Sequence, residues 1–162
     1  MSEIIMTAEI AEAITEDTMT GKFLTFRVAD GEYGIAIAYV TDIIKLQDTT
    51  PVPHVPNYIK GITNLRGTIA PIIDMRLRFG CVEGNYDERT CIIVLSLEDM
   101  SIGIIVDEVR EVAEIGEDSI QPSPKSIGNT TKNYFISAIG TFEGQIKQLL
   151  DIEKVFDTVV DA

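Results

Sequence analysis

The chain has 162 residues, 45% of them hydrophobic, and carries 26 acidic against 13 basic side chains, for a formal net charge of −13. A chain of this length can bury one sizeable core or two small ones. Its negative charge repels polyanions, which argues against nucleic acid and anionic membrane surfaces as partners.

Residues 1–20 are acidic and contain scattered aliphatic side chains. They contain no Lys or Arg, whereas a secretory signal begins with positive charge, and no run in the chain reaches the roughly 18 apolar residues that a membrane span needs. We therefore expect a flexible N-terminal tail over residues 1–20 on a soluble, cytoplasmic protein without direct membrane insertion.

Alternating apolar residues predict three hairpins. The first covers residues 23–37, with Asp30-Gly31 predicted as its two-residue turn. The second covers residues 90–106 around Glu98-Asp99, and the third covers residues 134–150 around Glu143-Gly144. A separate strand is predicted over residues 109–115.

The segment between the first two hairpins is the most distinctive of the chain. Gly61 and Gly67 bracket ITNLR, and residues 68–74 (TIAPIID) have the β-branched composition of a strand. Pro71 lacks an amide hydrogen, which predicts an edge strand. Asp74 is placed to cap a short helix in MRLRF.

The C-terminal segment shows helical spacing behind Asp151, which is placed as its cap. The apolar residues that predict this amphipathic helix are Ile152, Val155, Phe156, Val159 and Val160.

Two loops are rich in proline or glycine, at residues 51–56 and 121–131. The first holds His54, the only histidine, and a lone histidine is more often a surface residue than a ligand or general base. Cys81 and Cys91 lack the spacing of a zinc or redox motif, so we expect reduced structural thiols. The sequence predicts no catalytic residue, metal site or cofactor.

The order GITNLRG and then APIIDMRLRFG resembles the signature of the CheW family of bacterial chemotaxis coupling proteins. The resemblance covers roughly residues 20–156. It implies an all-β fold with short helices, in which two SH3-like five-stranded β-barrels pack around a shared hydrophobic core.

An internal repeat also predicts two barrels. A shift of 69 residues aligns Gly34 with Gly103, and a shift of 77 aligns Asp74 with Asp151. Short strands with glycine turns are best closed into small barrels, because closure removes unpaired edges. We expect pseudo-repeated barrels of roughly residues 21–85 and 86–162.

The repeat separates positions that the fold requires from those that function requires. Arg66 is matched by Glu143 at the equivalent turn, so the barrel does not need an arginine there. Arg66 is therefore the leading candidate for a functional residue.

The resemblance implies a non-enzymatic adaptor that couples chemoreceptors (methyl-accepting chemotaxis proteins) to the histidine kinase CheA, at the inner face of the membrane. The tip of a receptor would lie between the barrels, and the regulatory domain of the kinase would pack on barrel ends. Carried over by position, the implied receptor-binding residues are Val40, Asp42, Gly61 and Arg66, with Asp42 in place of a frequent glutamate. The kinase face is assigned to the second half, with Ile104, Val106, Val109 and Val112.

Two alternatives stay open at this point. One is a CheW-like scaffold of another sensory array, such as a pilus or surface-sensing system. The other is a ligand-binding barrel or a hydrolase that uses His54 and an acid. The sequence lacks GxxxxGK[ST], HExxH and GxSxG motifs, which makes an enzyme the weaker hypothesis.

Overall fold

The computed structural model describes residues 21–65, 67–122 and 134–160. The strands are β1 (Lys22–Val28), β2 (Gly31–Ala36), β3 (Val40–Lys45), β4 (Ile59–Leu65), β5 (Thr68–Asp74), β6 (Cys91–Leu97), β7 (Met100–Val106), β8 (Glu108–Glu114), β9 (Ile120–Pro122), β10 (Ile136–Phe142) and β11 (Gln145–Leu150). Helix α1 (Met75–Arg78) follows β5, and helix α2 (Ile152–Val160) follows β11.

The strands form two sheets. One is six-stranded in the order β8-β1-β2-β11-β10-β9, and the other is five-stranded in the order β3-β6-β7-β5-β4. The neighbours β2 and β11 run parallel, as do β5 and β7, and the remaining pairs are antiparallel. The predicted all-β fold with two SH3-like barrels and short helices is confirmed. One sheet contains the short strand β9 in addition to the five strands predicted for each barrel.

The internal repeat is visible in the strand register. Val28 pairs with Gly31 in the first hairpin, and Leu97 pairs with Met100 at the equivalent place in the second. Gly34 lies beside Leu149 across one parallel contact, and Gly103 lies beside Ile72 across the other. Both shifts, of 69 and 77 residues, therefore relate structurally equivalent positions.

The two halves of the chain nevertheless do not form one barrel each. Strands β1 and β2 are completed by β8, β10 and β11 from the second half, whereas β6 and β7 are completed by β3, β4 and β5 from the first. A boundary near residue 85 therefore does not separate the sheets, and the expected division is corrected. Two units of the repeat have exchanged their last three strands.

Alternation along the strands builds three apolar clusters. On β6, Ile93 and Leu95 face the core shared by both sheets, whereas Ile92 and Val94 face the interior of the five-stranded barrel. The interior of the six-stranded barrel holds a third cluster, which includes Leu149. Each buried aliphatic side chain stabilises the fold by about 1.5–3 kcal/mol. The predicted shared core is confirmed.

The hairpin turns agree with the sequence in two of three cases. Glu98-Asp99 and Glu143-Gly144 are the two-residue turns that join β6 to β7 and β10 to β11. The first turn is Ala29-Asp30 and not Asp30-Gly31, because Gly31 already pairs with Val28. Ala29 adopts a φ of 53° there.

Pro71 does not mark an edge strand, because β5 lies between β7 and β4. The pairing of β5 with β7 begins only at Ile72, so Pro71 lies in the part of the strand that pairs on one side, opposite Ile62. The missing amide hydrogen is therefore accommodated inside the sheet.

Both predicted helix caps are present. The Asp74 carboxylate accepts hydrogen bonds from the Leu77 amide at 3.3 Å and from the Tyr86 hydroxyl at 2.6 Å. The Asp151 carboxylate accepts a hydrogen bond from the Glu153 amide at 3.0 Å. The predicted tail over residues 1–20 and most of the loop at 121–131 lie outside the described residues.

Both cysteines are free, as predicted. Cys91 lies in the shared core, and burial raises the pKa of its thiol to about 12.

Gly103 allows β7 to approach β5 closely. A Cβ at this position would lie 2.7 Å from Ile72 Cδ1 and 2.8 Å from Ile92 Cγ2, inside the five-stranded barrel. We expect Gly103→Ala to lower the free energy of unfolding by about 1–3 kcal/mol, because overpacking forces neighbours out of their rotamers. Urea denaturation followed by circular dichroism measures the change.

Gly116→Ala is the matched control, because no heavy atom lies within 4 Å of a Cβ built there and its φ is −72°. Its effect should stay within about 0.5 kcal/mol. Equal unfolding midpoints for the two variants would contradict the close-contact explanation.

Candidate functional site

A groove of about 770 Å³ runs between the start of β5, the β6–β7 turn and α2. Its apolar lining consists of Ile69, Pro71, Leu97, Met100 and Phe156. The Ile69 side chain is 61% exposed and that of Met100 is 38% exposed. Large apolar side chains that are exposed together are typical of a protein-binding surface.

The rim of the groove is acidic. Glu98 and Asp99 lie on the β6–β7 turn, and Glu153 and Asp157 lie on α2. Lys and Arg are absent from the described residues that line the groove. The electrostatic potential therefore favours a partner that combines apolar and basic side chains.

The groove begins beside the turn that carries the leading candidate residue. Arg66 itself lies outside the described residues. Its neighbours Leu65 and Thr68 pair across the β4–β5 turn, and the Gly67 amide donates a hydrogen bond to Asn64 Oδ1 at 2.7 Å. Thr68 also lines the groove, so position 66 lies two residues from it in the chain.

Val40 and Asp42 do not line the groove. Both lie on β3, where the register shifts between them, and both side chains are buried. Val40 packs in the shared core, whereas Asp42 lines a separate cavity of about 300 Å³ in the mouth of the five-stranded barrel.

Gly61 has a structural explanation in the closure of the five-stranded barrel. Its φ is +147°, and a Cβ would lie 2.4 Å from the carbonyl oxygen of Thr50. Next to it, the Ile62 and Thr50 backbones exchange two hydrogen bonds, at 2.8 and 2.9 Å. A side chain at Gly61 would separate these two segments.

Burial corrects two of the four predicted kinase-facing residues, Ile104 and Val106. Ile104 and Val106 are fully buried in the shared core, so neither side chain is available at the surface. Val109 and Val112 are half-buried and pack against the same core. Alternating apolar residues on β7 and β8 indicate a packed strand face here, which sequence alone does not distinguish from an apolar contact surface.

Sequence reasoning missed a pair of exposed isoleucines. Ile69 and Ile146 are equivalent in the repeat, and Ile146 is 63% exposed. Each comes two residues after a turn glycine, where a polar residue would be the ordinary choice on an exposed face. The detectable signal is that both copies of the repeat retain isoleucine at this position.

A polar junction that the sequence did not reveal links the two sheets at Asp107. The Arg76 guanidinium on α1 donates from Nε at 2.9 Å to both Asp107 oxygens, and Nη2 lies 2.6 Å from Oδ2. Asp107 Oδ2 also accepts from the Ala29 amide at 2.8 Å and from Arg27 at 3.5 Å. The hydrogen bond to Asp107 raises the pKa of Arg76. Ala38 occupies the position equivalent to Asp107 in the first unit of the repeat, so this ion pair has no counterpart there.

His54 is exposed in the proline-rich loop, with a φ of 62°. In the part of the chain that the structure describes, no group of three or more His, Cys, Asp or Glu residues is arranged to hold a metal ion.

The described helices include none with the length and apolar composition to cross a membrane.

Residues 22–160 match the CheW-like domain family. The chain is 36% identical over 142 residues to the chemotaxis protein CheW of Klebsiella aerogenes, an alignment that covers 88% of this chain and 85% of the relative. It is 34% identical over 145 residues to the chemotaxis protein CheW of Bacillus subtilis, with 89% and 92% covered.

A solved structure is similar over most of its length. The crystal structure of the scaffolding protein TtCheW from Thermoanaerobacter tengcongensis superposes with a TM-score of 0.74 at 32% sequence identity. The match covers 81% of this chain and 88% of that chain.

Proposed function

The chain belongs to the CheW family, and on that basis we propose that it acts as a non-enzymatic adaptor in bacterial chemotaxis. The observation that carries the proposal is the match over nearly the whole length to chemotaxis proteins CheW, with a scaffolding protein of the same fold. The names of these relatives favour chemotaxis over another sensory array. The groove offers a binding surface for a protein, and its lining suggests no bond-making step.

The first proposed partner is the cytoplasmic tip of a chemoreceptor, bound in the groove. Amphipathic helices bind through apolar anchors that enter an apolar groove. Here the anchors would contact Ile69, Met100 and Phe156, while basic side chains of the helix face the acidic rim. The site would be cytoplasmic, at the inner face of the membrane within a receptor array.

Arg66 would hold the receptor from the edge of the groove. A guanidinium presents a planar fork that matches a carboxylate or the carbonyl groups at a helix C-terminus, and lysine does not reproduce this geometry. The reversal of charge between Arg66 and Glu143 supports a functional role over a structural one. Val40 and Gly61 would act indirectly, by maintaining the strands that shape this side of the barrel.

The second proposed partner is the regulatory domain of the histidine kinase CheA. We assign it to the end of the six-stranded barrel around Ile146 and Glu143, in place of the buried residues on β7. This end is equivalent in the repeat to the one that carries Ile69 and Arg66, yet the turn carries the opposite charge. Equivalent apolar anchors with opposite neighbouring charges would let one protein discriminate between two partners.

Size-exclusion chromatography tests the proposed coupling. The chain should co-elute separately with a receptor-tip fragment and with the kinase regulatory domain, and all three should elute together when mixed. Elution of the chain alone in both binary mixtures would contradict the proposal.

Reciprocal variants test the two surfaces. We expect Arg66→Glu to weaken binding of the receptor tip about tenfold or more while leaving the kinase domain bound, because the charge that contacts the receptor is reversed. We expect Ile146→Glu to show the opposite pattern. Isothermal titration calorimetry measures both affinities for each variant.

Arg89→Glu is the control for added negative charge, because Arg89 is exposed and does not line the groove. Its ion pairs with Asp87 and Glu108 lie at the surface and contribute little to the free energy of folding. Equal loss of receptor binding in Arg66→Glu and Arg89→Glu would show that overall charge, and not the turn, determines affinity.

A further inference from the structure

The mouth of the six-stranded barrel is closed by a buried lysine. Lys147 on β11 is 1% exposed, and its Nζ lies 3.7 Å from Glu32 Oε1 and 3.4 Å from Gln145 Oε1. Glu32 Oε1 also accepts a hydrogen bond from Arg110 Nε at 3.1 Å. The side chain lies on the same face of β11 as Leu149, which belongs to the interior cluster of that barrel.

The five-stranded barrel has small residues at each equivalent position. The repeat relates Lys147 to Ala70, Glu32 to Ser101, Gln145 to Thr68 and Arg110 to Thr41.

Three of those small residues line a cavity of about 300 Å³, namely Ser101, Thr68 and Thr41. The remaining lining residues are Asp42, Ile44, Leu65, Val94 and Ser96. The space that the partners of Lys147 fill in one barrel is thus open in the other, whereas Ala70 itself is buried and does not line the cavity.

We propose that this cavity receives a lysine side chain from the chemoreceptor tip, in the position that Lys147 occupies in the other barrel. The inference rests on the proposed function, and it names the chemistry of the contact. The aliphatic stem would pack on Ile44, Leu65 and Val94, and the ammonium group would reach the hydroxyl groups and the Asp42 carboxylate at the wall.

The size and position of the cavity support this occupant. A volume of about 300 Å³ is at the lower limit of small-molecule sites and suits one long side chain. Thr68 and Ser101 line both the cavity and the groove, so a helix bound in the groove would pass the mouth of the barrel. A chain with a net charge of −13 also attracts a cation more strongly than an uncharged side chain.

The test uses the double variant Ala70→Lys, Ser101→Glu. It introduces the counterparts of Lys147 and Glu32 into the five-stranded barrel. The variant adds one charge of each sign, so the net charge stays at −13. We expect it to fold, because Lys147 and Glu32 occupy the same places in the other barrel, and to bind a receptor-tip fragment about tenfold more weakly or worse. Affinity for the kinase regulatory domain should be unchanged.

Unchanged affinity of the folded double variant for the receptor tip would overturn the inference. If the wild-type chain itself does not bind the receptor tip, the result contradicts the proposed function. Loss of the proposed function is thereby distinguished from failure of the inference about the cavity. If the double variant does not fold, Ser101→Leu takes its place, with the same loss expected and unchanged binding again overturning the inference.

Alanine substitutions of the receptor-tip lysines, one at a time, identify the occupant. One of them should weaken binding to the wild-type chain and cause no further loss with the closed variant. Additive losses for every lysine would contradict insertion into the cavity.

Discussion

The architecture depends on the exchange of strands between the two units of the repeat. Each barrel obtains its first hairpin from one half of the chain and its last three strands from the other. The apolar faces left between the barrels form one shared core, in which Ile93 and Leu95 of one sheet meet Phe26 and Ile35 of the other. Neither half can therefore complete a barrel by itself, and the two ends of the molecule are held at a fixed separation.

Duplication also explains how one small fold presents unlike surfaces. The register of the two units agrees residue by residue, so differences between equivalent positions are departures that the fold does not require. The turn carries Arg66 in one unit and Glu143 in the other. Asp107 forms the polar junction on one side, where the other has Ala38. Lys147 closes one barrel mouth, whereas its counterpart Ala70 is a small buried residue of the other barrel interior. The surfaces proposed to bind partners lie where this internal symmetry breaks.

Local features of the fold could be predicted from sequence, because local chemistry determines them. Alternation and turn residues located the hairpins, and carboxylates before apolar helical spacing located the caps at Asp74 and Asp151. The partition into barrels could not be predicted, since periodicity identifies an apolar face but not the strand that will cover it. The same limit explains why Ile104 and Val106 suggested a surface. Pro71 suggested an edge strand because the sequence does not show that β5 pairs with β7 only from Ile72 onwards. The groove was missed because its lining comes from β5, the β6–β7 turn and α2, which are distant in sequence.

The claim that the exchanged strands make both barrels one cooperative unit can be tested directly by unfolding. The chain has no tryptophan, so Leu46→Trp and Phe142→Trp each place a single fluorescent reporter at the edge of one barrel interior. In urea, the fluorescence transition of each variant should coincide with its own circular dichroism transition, with the whole chain unfolding in one step. A fluorescence midpoint that separates from the circular dichroism midpoint, with one barrel unfolding while the other persists, would contradict the account.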